Sequence, residues 1–248
     1  MTLGIIIQAR LSSTRLPGKV LKPLANSTVL GCLITRLKQL KSSTEIIIAT
    51  TVASSDDKII DFCEKYNIKY FRGSEQDVLS RYYETAKKYN LTDIARITSD
   101  CPLFEINLLD EMISDYKNHP QYDYYSNCIK RTYPRGFDIE IFKFSVLEKA
   151  FYEASNQYER EHVTPYIWEN KEKLFTIGSK INKKDYSFLR LTLDTPEDYE
   201  LIQKIYAENV NDITSTNFDF ILNLLKEKPE IFEINKKIEQ KKVTEVQQ

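Results

Sequence analysis

Residues 3–24 read LGIIIQARLSSTRLPGKVLKPL. Leu3–Gln8 is apolar at nearly every position, the pattern of a parallel strand covered on both faces; a half-exposed strand would alternate. The strand runs straight into a loop that carries Arg10, Arg15 and Lys19 and is bent by Pro17-Gly18. In open α/β sheets ligands bind outside the carboxyl ends of the strands. Gln8, Ala9 and Arg10 stand at that end, and Gly18 lets the backbone approach a ligand closely. Three cations in one short loop are matched by a highly anionic ligand, with a triphosphate the obvious candidate; the bland alternative is a solvated basic loop. The loop is neither GxxxxGK[ST] nor GxGxxG, so charge replaces much of the glycine cradle. Lys19 is expected on a solvated loop.

Outward from this stretch, strand-like runs recur at Glu45–Thr50, Ile68–Phe71, Ile94–Thr98, Tyr122–Asn127, Phe137–Phe142, Phe175–Ile181 and Leu189–Leu193. Helical periods separate them. Ile59, Ile60, Cys63 and Tyr66 share one face, and Val78, Leu79, Tyr82 and Ala86 form a buried stripe after a Ser74/Asp77 capping box. Thr195, Pro196 and Asp198 mark a helix start with N-cap, first-turn proline and box. Two more helices are expected at Ser145–Ala154 and Gln157–Glu169. Strand–helix alternation over the first half argues for βαβ units and a mostly parallel sheet, with antiparallel strands added between about Tyr122 and Ile181. One domain over 1–241 and a polar tail over 242–248 are expected.

The chain has 248 residues, enough to bury roughly three quarters of its unfolded surface. With 35 basic and 36 acidic residues it has no polyelectrolyte face, which points away from nucleic acid and toward a small-molecule or protein partner. Cys32, Cys63, Cys101 and Cys128 form no CxxC pair, so zinc is not expected and reduced cytosolic thiols are. No run of about eighteen apolar residues occurs, so no membrane span is expected and the protein reads as cytoplasmic.

Two acids sit where the loop's ligand would need them. Asp100 follows the Ile94–Thr98 run and Asp194 follows Leu189–Leu193, each in a turn beyond a strand end. Mg²⁺ commonly takes one or two carboxylates plus substrate phosphates, so this pair could hold it on a triphosphate. The plainer alternatives are a turn or helix-capping role for Asp100 and an Asx turn for Asp194. In PRGFDIEIF, Asp138 and Glu140 share one strand face and could bind metal or substrate hydroxyls. His162, in REHVTP, could act as a base or orient an acceptor, although a lone histidine is more often structural.

Seven stretches carry a resemblance. QARLSSTRLPGKVL resembles the opening motif of cytidylyltransferases such as CMP-3-deoxy-manno-octulosonate synthetase and acylneuraminate cytidylyltransferase. FRGSEQDVLSRYYETA, RITSDCPLFE, YPRGFDIEIF, REHVTPYI, LTLDTPEDYELI and PEIFEINKKIEQK together resemble the spore coat polysaccharide biosynthesis protein F branch of the cytidylyltransferase-like family, from about Ile5 to Lys241. The resemblance implies a Rossmann-like three-layer α/β/α sandwich of the nucleotide-diphospho-sugar transferase type, with CTP as substrate, Mg²⁺ as cofactor and a possible homodimer. It implies phosphate binding by Arg10, Arg15 and Lys19, metal binding by Asp100 and Asp194, and a nucleoside-side segment of Arg72, Gly73 and Ser74. Arg10, Lys19 and Asp100 are the expected catalytic set. SDCPL stands where the octulosonate enzymes have a GDEP-type turn, and PRGFDIEIF and REHVTP have no counterpart there. The sugar-like acceptor is therefore assigned no identity, and Arg135, Asp138, Glu140 and His162 are the candidates to hold it. Two rivals stay open: a GT-A-type glycosyltransferase using Asp138 and Glu140 as a DxD-like pair, and a non-catalytic nucleotide-binding partner.

Overall fold

The computed structural model describes residues 2–42, 44–209 and 212–239. The expected tail at 242–248 lies outside them. In chain order the strands are β1 (Leu3–Gln8), β2 (Pro23–Leu24), β3 (Ser27–Thr28), β4 (Glu45–Thr51), β5 (Lys69–Gly73), β6 (Asp93–Thr98), β7 (Tyr124–Ser126), β8 (Glu140–Lys143) and β9 (Ile177–Ser179). The helices are α1 (Val29–Leu37), α2 (Asp57–Lys65), α3 (Val78–Lys88), α4 (Ile106–Asn118), α5 (Phe144–Glu153), α6 (Gln157–His162), α7 (Pro165–Glu169), α8 (Pro196–Glu208) and α9 (Phe218–Glu227).

Seven strands form one sheet in the order β5-β4-β1-β6-β8-β7-β9, and β2 and β3 make a separate hairpin. β1 pairs in parallel with β4 on one side and β6 on the other. Its central place explains its composition. Ile5, Ile6 and Ile7 are fully buried, each contributing about 1.5–3 kcal/mol. Ile5 and Ile7 pack with residues of α1, α2, α4, α8 and α9; Ile6 packs with residues of α3, α5 and α7. Alternate side chains of one strand therefore feed two helical layers, which is the three-layer sandwich.

From β1 the chain goes to β4 and β5 on one side, then crosses back to β6 on the other. The crevice between the carboxyl ends of β1 and β6 is thus the topological switch point. Gln8 and Thr98 are in register there, just before the cationic loop and Asp100.

Several sequence expectations need correction. β8 alone runs against the other six strands, since β7 is antiparallel to β8 and parallel to β9. Leu189–Leu193 is not a strand: it makes a single parallel bridge, Arg135 to Arg190, and Leu193 N then donates to Asp100 O at 2.9 Å. This segment is a strut between two loops. Gly136 permits the close approach, with φ +103° and a position where a Cβ would lie 2.6 Å from the Leu191 carbonyl. Helix Gln157–Glu169 is broken into α6 and α7, because Pro165 has no N–H and its ring clashes with a helical continuation. Val163 at the break has φ +73°. Asp77, not Ser74, is the N-cap of α3: its side chain accepts from Ser80 N, while Ser74 Oγ accepts from Asp77 N. The four-residue stripe of α3 is buried as expected, but Tyr66 is 41% exposed and Phe62 takes its place in the core.

Candidate active site

The loop after β1 is held from below. Ala9, Leu16 and Val20 are buried in the core. Gly18 N donates to Leu11 O at 3.0 Å, with Gly18 in the left-handed region at φ +68°. Leu11 N donates to Oδ1 of the buried Asp56 at 2.8 Å, and Thr51 Oγ1 donates to its other oxygen. Asp56 therefore sets the loop's height above the sheet. Nothing in its local sequence distinguishes it from a helix-start acid.

Lys19 begins a single 3-10 turn, Lys19–Leu21, that aims its side chain into the switch-point crevice. Its ammonium donates to Asp100 Oδ2 at 2.6 Å, Asp194 Oδ1 at 2.8 Å and Leu193 O at 2.9 Å. The solvated loop lysine expected from sequence is in fact only 12% exposed, because two carboxylates from distant parts of the chain draw it inward. Burial opposes its charge, yet Asp100 and Asp194 outweigh burial and hold its pKa above the ordinary 10.5. Burial alone would raise Asp100, but Lys19 outweighs it and holds that carboxyl below 3.8. The pair's contribution to stability is thus complete at neutral pH. It is lost only as pH rises past 10.5 through the lysine's raised value, or falls from 3.8 through the lowered aspartate value.

Asp194 is the more constrained acid. Arg15 Nη2 lies 3.1 Å from its Oδ1, and Arg190 Nη2 lies 3.0 Å from its Oδ2. Arg190 in turn grips Asp198 through Nε and Nη2, both at 2.9 Å. Asp198 closes the expected capping box of α8, accepts from Asp194 N at 3.0 Å, and is fully buried. Asn235 completes the frame, donating to Asp198 Oδ1 at 2.8 Å and Arg190 O at 3.0 Å. Arg190, Asp198 and Asn235 were not legible as site residues. The only signal was the DTPED cap, which reads equally as a helix start.

A cavity of about 350 Å³ opens beside these acids, lined by Gln8, Asp100 and Asp194 together with Arg135, Asp138, Glu140 and His162. All four acceptor candidates thus meet the two acids in one space. Asp138 is held by Arg131 in a two-point contact, at 2.5 and 3.2 Å. Glu140 accepts from Arg96 at 2.8 Å and from Thr164. Gln8 Oε1 accepts from Arg96 Nη2 at 3.3 Å. Each of the two acids in PRGFDIEIF is therefore committed to its own arginine rather than to a shared metal. Arg135 lines the same cavity with no acid on its guanidinium among the described residues. Burial, then the neighbouring Arg131, lower its pKa.

Two buried nitrogens on the cavity wall, Arg96 Nε and His162 Nε2, have no protein partner. Burial lowers the His162 pKa below 6.5; Arg96 adds to this, while Glu161 and Glu140 oppose it. The ring is therefore neutral at pH 7. An NMR titration of the intact chain is expected to place the His162 midpoint below 6.5, its stabilising contribution being lost as pH falls through that lowered value. A midpoint above 6.5 would contradict this environment.

The remaining candidates lie on the β4–β5 side. Arg10 is 42% exposed and faces Glu75 at 3.8 Å, so it does not join Arg15 and Lys19 on the acids. Arg72 spends its guanidinium on Thr51 O, Ala53 O and Asp57. That ties the β4–α2 turn to β5 beside Gly73 and Ser74. Ala9 presents only backbone, and its N–H is taken by Ala49 O at 3.1 Å.

Asp100 and Asp194 fit a divalent cation in charge and aim, since two carboxylate oxygens and a carbonyl already converge on one ammonium. No group of three or more His, Cys, Asp or Glu side chains that could hold a metal occurs among the described residues. A two-carboxylate site suits an ion whose other ligands come from substrate phosphates. No helix among the described residues is long and apolar enough to cross a membrane.

The comparisons agree with one another. A family model described as cytidylyltransferase matches residues 4–243. Protein MJ1063 of Methanocaldococcus jannaschii is 39% identical over 247 residues, covering 98% of each chain. Spore coat polysaccharide biosynthesis protein SpsF of Bacillus subtilis is 34% identical over 231 residues, covering 88% of this chain and 92% of SpsF. The solved structure of a cytidylyltransferase from Leptospira borgpetersenii serovar Hardjo-bovis superposes with a TM-score of 0.88 at 40% identity, covering 94% of this chain and 97% of that one.

Proposed function

The chain belongs to the cytidylyltransferase family, and from that premise we propose that it transfers CMP from CTP to an anionic sugar acceptor, releasing pyrophosphate, in the assembly of a surface polysaccharide or glycoconjugate. The observation that carries this reading is the meeting of Lys19, Asp100 and Asp194 at the edge of the cavity that holds every acceptor candidate.

The division of labour follows from the two sides of β1. The nucleoside lies toward Arg10, Gly73 and Ser74 on the β4–β5 side. The acceptor lies in the cavity on the β6–β8 side, and the phosphates pass between them over the cationic loop. Phosphoryl chemistry of this kind is mostly positioning and charge stabilisation. Lys19 and Arg15 offset the charge that builds on the leaving pyrophosphate. Asp100 and Asp194 would hold Mg²⁺, which when bound draws charge from the phosphates. Arg135 pairs with the acceptor's carboxylate or phosphate. The neutral His162 ring accepts a hydrogen bond from an acceptor hydroxyl or donates one to its oxygen. The DxD-like glycosyltransferase reading loses its metal pair, because Asp138 and Glu140 are each neutralised by an arginine.

The test is pyrophosphate release from CTP with magnesium, screened over sugar acids, sugar phosphates and neutral sugars. Release with an anionic acceptor is expected. Absence of both release and exchange of labelled pyrophosphate into CTP, across the panel, sinks the reading. With the active acceptor in hand, Arg135→Gln is expected to raise its KM by roughly 10–100-fold, the loss of one charge-assisted contact. The KM for CTP should change little. Equal effects on both would move Arg135 to the nucleotide.

A further inference from the structure

We propose that Lys19 is a built-in counter-ion that holds the place of the divalent cation between Asp100 and Asp194, so that the protein admits the cation only together with a polyphosphate that draws the lysine away. This rests on reading the site as one for a metal-bound nucleotide. An ammonium has three N–H donors and no acceptor. All three are used here, on Asp100 Oδ2 at 2.6 Å, Asp194 Oδ1 at 2.8 Å and Leu193 O at 2.9 Å. Two of these acceptors are carboxylate oxygens, the hard ligands that a magnesium or manganese ion takes from a protein alongside substrate phosphates. The lysine and the ion therefore compete for the same oxygens.

Two of the three oxygens belong to groups held by other contacts, while the lysine stands on a flexible stem. Leu193 is pinned by its N–H on Asp100 O at 2.9 Å, and Asp194 Oδ2 is pinned by the buried Arg190 at 3.0 Å. Lys19 has a flexible four-carbon stem on a loop. Arg15, 3.1 Å from the same Asp194 oxygen, sits on that loop too. A polyphosphate entering over the loop offers both cations new acceptors, which frees the carboxylates at the moment the accompanying ion arrives. An ion arriving alone offers the lysine nothing, and like charge opposes it. Without nucleotide the site stays neutralised and closed to free metal.

The probe is Mn²⁺, titrated by electron paramagnetic resonance into the full chain without nucleotide. Lys19→Gln is expected to bind Mn²⁺ at least about tenfold more tightly than the wild type. The gain should vanish in Lys19→Gln/Asp100→Asn. Equal Mn²⁺ affinity in wild type and Lys19→Gln overturns the proposal. Should the variant fail to fold, nitrogen-15 NMR of lysine ammonium groups in the wild type decides. The Lys19 signal should be exchange-protected, unmoved by Mg²⁺ alone and shifted by Mg²⁺ with CTP or tripolyphosphate. A shift with Mg²⁺ alone overturns the lysine's role while leaving the nucleotide reading standing. No shift with Mg²⁺ and CTP overturns both.

Discussion

Lys19→Ala lowers kcat for CTP turnover by roughly 10²–10³-fold, the usual cost of deleting one preorganised donor aimed at developing charge. The side chain contacts both acids at the switch point, and it reaches the crevice where the leaving phosphates are proposed to pass. The fold survives, but not without cost. The variant leaves two carboxylates facing one another with one cation fewer, and a stability loss of about 1–3 kcal/mol is expected. Melting temperature and kcat should be measured on the same preparation. Lys19→Arg keeps the charge without the three-point fit and should recover only part of the rate. Unchanged turnover in Lys19→Ala removes the loop from the mechanism. The same substitution site is expected to lose turnover while gaining affinity for free Mn²⁺, a pairing that general damage to the fold does not produce.

Asp198→Ala is expected to lower stability by about 3–5 kcal/mol, the cost of removing one partner of a buried ion pair. Asp198 is fully buried and accepts from Nε and Nη2 of Arg190, from Asn235 and from the backbone of Asp194 and Thr195. Its removal takes the reciprocal half of the capping box from α8, whose N-cap Thr195 stays, and deprives Arg190 of the buried acid it grips at two points. Asp194 then loses its fixed orientation toward Lys19, so activity should fall as well. Asp198→Asn keeps the shape and part of the hydrogen bonding and should cost less. Chemical denaturation at neutral pH provides the check; a loss under about 1 kcal/mol would mean the frame does not hold the acid.

How far the sequence reaches can be judged residue by residue. The run Leu3–Gln8 matches β1 end to end, because a strand buried on both faces leaves a continuous apolar signature that no other short element shares so near a turn. The Thr195–Asp198 cap is equally legible, since capping is a contact between neighbours. Leu189–Leu193 alternates Leu, Arg, Leu, Thr, Leu as a strand does and is not one; its burial comes from bridging two loops, which periodicity does not distinguish from a ladder. The break at Val163 was written in Pro165 but is outvoted by the helical pattern around it.

Local chemistry in the sequence determined the central strand, the bent cationic loop, the two acids beyond strand ends and the α/β alternation, because each rests on residues within a few positions of one another. Only the tertiary structure decided which charges meet. Lys19 is 81 residues from Asp100 and 175 from Asp194, while Arg10, nine positions from Lys19, faces Glu75 instead. Pairing of that kind depends on which strand lies beside which and on the direction a loop leaves the sheet. A one-dimensional pattern carries neither, and the parallel crossover at β1 supplies both.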